Sequence, residues 1–67
     1  MHFEDCWQRI KTATPIRYQR ELAEIAQTVP SNITKAKQKG IFPPEWAFRI
    51  AQKHNLSTDW ILTGKKR

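Results

Sequence analysis

Very little in this 67-residue chain could build a site for chemistry. There is a single cysteine, Cys6, which excludes an intrachain disulfide and any cysteine-based zinc cluster. The only glycines, Gly40 and Gly64, each read as a helix stop, so no glycine-rich loop can cradle a phosphate. His2 and His54 stand far apart and, with one cysteine, make no case for a metal. No nucleophile–base pair or paired carboxylates can be assembled from the rest. The expectation is a protein that is not an enzyme, with no cofactor, no metal and no small-molecule substrate. Long apolar runs are missing too, as is a signal-peptide pattern, which speaks against a membrane partner. The lack of disulfides fits a reducing cytoplasm. A chain this short buries only about 60% of the surface its unfolded form exposes, which leaves no room for a deep cleft.

Negative charge is the scarcity with the most consequence. Six acids face twelve lysines and arginines, for a net charge of +6. The imbalance is also local. Residues 1–24 hold four acids and four bases, whereas residues 25–67 hold two acids and eight bases. From Ile25 to Pro44 there is no acid at all, although Lys35, Lys37 and Lys39 fall there. An ordinary surface helix mixes signs. A basic segment free of acids suits an anionic partner.

What is present is helical periodicity. Phe3, Trp7 and Ile10, with Cys6 beside Trp7, predict a first helix from Phe3 to about Ala13; Glu4 and Asp5 suit its first turn. Thr14-Pro15 breaks or restarts the helix, with Thr14 in an N-cap and Pro15 in a first-turn position. A second helix runs from Arg17 or Tyr18 to Gln27, with Tyr18, Leu22 and Ile25 on one side of its buried stripe and Ala23 and Ala26 on the other. A third runs from Pro30 or Ser31 to Lys39 and stops at Gly40. The apolar connector Ile41-Phe42-Pro43-Pro44 is expected to fold both large side chains beneath that helix. A fourth helix starts near Pro44-Glu45 and ends near His54-Asn55, with Trp46, Ala47, Ile50 and Ala51 inward. His54 follows the same stripe as a half-buried packing residue. Phe48 lies off it. It reads as cover for the edge of a neighbouring helix or, less ordinarily, as an apolar contact with another subunit. Ser57 caps a short fifth helix in which Trp60, Ile61 and Leu62 pack and which Gly64 ends. The domain thus spans residues 1–64, with residues 65–67 a basic tail.

The second and third helices, with Gln27-Thr28-Val29-Pro30-Ser31 between them, have the spacing of a helix-turn-helix. In that motif the second helix enters the DNA major groove and the first braces it across the backbone. With Ile33 and Ala36 turned inward at 100° per residue, Ser31, Thr34, Lys35 and Gln38 point outward. All four can donate a hydrogen bond, and these are the expected base contacts. Lys37 and Lys39 lie on the flanks, with Asn32, and are the expected backbone contacts. Gln19, at the start of the second helix, would touch phosphate or brace the third helix, and Arg17 would add a further backbone contact. Gln27 occupies the turn position that favours glycine, because the chain needs positive φ there.

From Leu22-Ala23-Glu24 onward the chain resembles the N-terminal domain of phage CI-type repressors. The resemblance is carried by Pro30-Ser31, by Gly40 with Pro43 soon after, by Trp46 with Arg49-Ile50-Ala51, and by Asp59-Trp60-Ile61-Leu62-Thr63-Gly64. It covers residues 19–64 well and the first helix only by pattern. It implies an all-α, compact five-helix, λ-repressor-like fold, cytoplasmic in a bacterial cell. It also implies repression of transcription at a double-stranded DNA operator of phage or prophage. Gln27, in place of the usual glycine, and Ala36, in place of a larger apolar residue, depart from the family pattern and bear on the tilt of the third helix. The family usually carries a C-terminal oligomerisation domain. A chain ending after the fifth helix reads as an isolated DNA-binding domain or a short regulator, monomeric or weakly dimeric. The rival expectation is a helical protein-interaction module that binds an acidic partner through Phe48 and the Phe42 connector. The acid-free segment favours DNA.

Overall fold

The computed structural model describes residues 2–65, so Lys66 and Arg67 of the expected basic tail lie outside the described residues. Five helices follow one another: α1 (Phe3–Ala13), α2 (Gln19–Ala26), α3 (Pro30–Lys39), α4 (Pro44–His54) and α5 (Thr58–Thr63). The all-α, five-helix architecture expected from the periodicity is what is found. α2 packs on α3 and α4, while α5 lies across α4 and α1.

One core joins them. α1 contributes Phe3, Cys6, Trp7 and Ile10; α2 contributes Leu22, Ala23 and Ala26; α4 contributes Trp46, Ala47, Ile50 and Ala51; α3 and α5 add Ile33 and Ile61. The connector supplies Phe42, whose ring stands 5.6 Å from Phe3 and 5.8 Å, edge-on, from Trp46. Trp7 and Trp46 are buried, and Trp60 is half-buried against this core.

Three details differ from the periodicity reading. Thr14 does not start a helix; it ends α1. Its hydroxyl donates to Ile10 O at 2.7 Å and accepts from Ile16 N at 3.2 Å, so this buried polar group is fully used. Tyr18 is exposed rather than part of the α2 stripe, because it precedes the helix in extended conformation. Ile16, in the irregular link, fills the core instead. Ile41 is likewise exposed, and only Phe42 of the connector turns inward; the Ile41 backbone pairs with His2 and closes the chain beside α1.

The link before α2 is held by charge. Glu21 Oε1 accepts from Arg17 N and Tyr18 N at 2.9 and 3.0 Å. These amide bonds hold the Glu21 carboxyl below its ordinary value of 4.5. A depressed folded-state pKa contributes stability above the unfolded value, and that stability is lost as pH falls through the folded one. Glu21→Gln is therefore expected to be less stable than the parent at neutral pH, and the gap should close as pH drops below 4.5. Denaturant midpoints across that range measure it.

Gln27 does adopt the left-handed conformation, at φ 60° and ψ 46°, and Thr28 N reaches back to Ala23 O at 2.9 Å. Arg49, from α4, donates to Ala26 O at 3.0 Å and satisfies a carbonyl that the end of α2 leaves open. Non-glycine residues pay roughly 1–2 kcal/mol in this region. Added unfolded-chain entropy returns about 0.4–1 kcal/mol of that when glycine is introduced. Gln27→Gly is expected to stabilise the domain by about 0.5–1 kcal/mol, read as a higher thermal midpoint.

Candidate nucleic-acid interface

α3 opens with Pro30 at its first position, where a missing N–H costs nothing, and ends at Gly40 with φ 74°. Ile33 is its one fully buried residue, and Ala36 is half-buried. The rest of its side chains face solvent. Ser31, Thr34, Lys35 and Gln38 are all exposed, as the 100° geometry requires, and so are Asn32, Lys37 and Lys39. With three lysines and no acid, α3 carries the highest net charge of the five helices.

The residues differ in how much the fold has already committed them. Among the described residues Ser31, Lys35 and Gln38 make no side-chain hydrogen bond within the chain. Thr34 Oγ1 donates to Pro30 O at 3.3 Å and lies 3.5 Å from Gln19 Oε1. That second contact is long; it sets the start of α2 beside the middle of α3. Asn32 Nδ2 donates to Thr28 Oγ1 at 2.8 Å, which ties the first turn of α3 to the inter-helix turn. Arg17 stands apart from the group. Its Nη1 lies within 2.8–2.9 Å of the carbonyls of Lys11, Thr14 and Ile16, where it caps the end of α1.

Helical spacing does not reveal every neighbour of this surface. Tyr18 and Arg20 form an exposed pair at the start of α2, the guanidinium 5.6 Å from the ring centre. Val29, exposed at the entrance to α3, carries no periodic signal because it precedes the helix. Arg49 fixes the end of α2 from a distance of twenty-three residues in sequence, and no local pattern could reveal that. Along the flank of α3, Asn32, Lys35, Ala36, Lys39, Ile41, Pro43 and Trp46 line an open groove.

The surface proposed for an acidic protein partner is not assembled. Phe48 is exposed, but Phe42 is wholly buried between Phe3 and Trp46 and cannot serve as a contact. Among the described residues no group of three or more His, Cys, Asp or Glu side chains could hold a metal ion, and no helix is long and apolar enough to cross a membrane. Cys6 is buried, its thiol pushed up from the ordinary value by desolvation, which makes it a poor nucleophile.

The model of one protein family, described as the bacteriophage CI repressor helix-turn-helix domain, matches residues 5–67. No curated protein and no solved structure matches the chain.

Proposed function

The chain belongs to the bacteriophage CI repressor helix-turn-helix domain family, whose members bind double-stranded DNA as regulators, and from that premise we propose that it represses transcription by reading a specific operator through α3. The observation that carries the reading is the α3 surface: four outward hydrogen-bonding side chains, flanked by lysines, on a helix without an acid.

In the major groove, Gln38 suits adenine, whose N6 and N7 match its amide as donor and acceptor. Lys35 suits the O6 and N7 of guanine, while Ser31 and Thr34 can serve either base. Lys37, Lys39 and Asn32 take phosphates on either side. They set the register and supply the affinity that does not depend on sequence. Gln19 reaches a phosphate or holds Thr34 in place, and Arg17, exposed and with its Nη1 held by the carbonyls at the end of α1, offers its remaining N–H groups to the DNA backbone. A domain seated across a promoter in this way blocks polymerase by occupancy alone, which requires no catalytic group.

Selection of bound duplexes from random DNA, at physiological salt, tests the proposal. Enrichment of one short motif, repeated with two-fold symmetry about one helical turn or a multiple apart, is the expected result. Equal retention of all duplexes, or of none, would reject it.

A further inference from the structure

Four large apolar side chains are exposed among the described residues: Tyr18, Val29, Ile41 and Phe48. Val29 stands at the entrance to α3 and is 53% exposed. It occupies the N-cap position, where serine, threonine, aspartate or asparagine would accept a hydrogen bond from the first turn and where valine ranks among the poorest choices. No side-chain cap is made there. Nor does the side chain serve packing: the partly buried apolar residues that join the core are Ile25, Ala36, Leu56, Trp60 and Leu62. The turn is held by its neighbours, through Asn32 N to Val29 O at 3.0 Å and Asn32 Nδ2 to Thr28 Oγ1 at 2.8 Å. Valine therefore breaks a local rule with no gain inside the chain, a pattern expected at functional positions.

We propose that Val29 is a specificity residue that contacts the C5-methyl group of a thymine in the operator. The inference rests on the reading that α3 enters the major groove. In that geometry the N-terminal residues of the helix meet base edges. Val29 directly precedes Pro30 and Ser31 there, whereas Ile41 lies beyond the opposite end and Phe48 on α4. Thymine alone among the four bases shows a methyl group in the major groove, and a small apolar side chain is its natural partner. Val29 thus adds one apolar element to a row of polar ones and discriminates thymine from cytosine, which Ser31 and Thr34 cannot do by hydrogen bonding alone.

The test uses the operator selected as above, with each thymine replaced singly by deoxyuridine, which deletes the methyl and leaves the hydrogen-bonding groups intact. The chain and its Val29→Ser variant are titrated against every duplex. Serine suits the N-cap, so the variant keeps the helix start, and the thymine-to-uracil ratio within each protein cancels any change in overall affinity or folding. At one thymine per half-site the parent is expected to lose about fourfold on methyl removal, the value of one buried methyl-sized group. The variant should show a ratio near one at that thymine and match the parent at all others. Uracil profiles that coincide at every position, or a parent indifferent to every methyl, would overturn the inference while leaving operator binding intact. Failure of both proteins to prefer the operator over a scrambled duplex would instead remove the reading beneath it, and the inference with it.

Discussion

Phe42→Ala is expected to destabilise the domain by about 3–5 kcal/mol, the cost of deleting a buried aromatic and leaving a cavity behind. Phe42 belongs to no helix, yet it is wholly buried and bridges Phe3 at the start of α1 to Trp46 at the start of α4. Few other contacts join those two helix ends, since α1 reaches the rest of the domain chiefly through α5 and α3. Folded domains have only about 5–15 kcal/mol in hand, and a small one sits near the lower end. The variant should therefore be largely unfolded at physiological temperature, with its helical circular dichroism lost and its denaturant midpoint moved sharply down. A midpoint displaced by less than the equivalent of about 1 kcal/mol would mean that the three-ring cluster does not tie the helices together.

The second large effect is on recognition. Gln38 points straight out of α3 and Lys39 to its side, so their removal should fail differently. Gln38→Ala is expected to cost about 1–3 kcal/mol on the selected operator, to relax preference at one position per half-site, and to change binding to scrambled duplex little. Lys39→Ala should weaken both duplexes by similar factors and lower the slope of log K against log salt by about one, since one phosphate fewer releases its counterion. Titrations of both variants on both duplexes at two salt concentrations separate these outcomes. Equal losses by both variants on both duplexes would reduce α3 to a phosphate-binding surface.

Where helical periodicity holds, the sequence was readable. Phe3, Trp7 and Ile10 marked α1; Pro30 and Gly40 bracketed α3; Trp46, Ala47, Ile50 and Ala51 faced inward along α4. The misreadings sit just outside helices, where a 100° step no longer applies. The 100° step puts Tyr18 on the α2 stripe only if the helix begins one residue earlier than it does; its extended backbone turns the ring to solvent, and Ile16 takes the inward place. Ile41 sits in a bridge with His2, and in such backbone successive side chains point to opposite faces, so Ile41 turns to solvent where Phe42 turns inward. The outward set on α3 was legible for the same reason the helices were, because direction follows from spacing. What those side chains touch was not, since Arg49 on Ala26 O and Thr34 near Gln19 join residues with no fixed separation in sequence.

Ile33 is the only residue of α3 that is fully buried. On the proposed reading, the helix that chooses the target is thus nearly independent of the core that keeps the chain folded. Residues 31, 34, 35 and 38 can be exchanged as a set without touching the cluster of Phe3, Phe42 and Trp46. Surface changes of that kind usually alter stability by less than about 0.5 kcal/mol. Target preference can therefore drift through evolution, or be reprogrammed by library selection, while the scaffold stays constant. Two descendants of one such domain could come to ignore each other's operators through a handful of substitutions and share the same cell without interference.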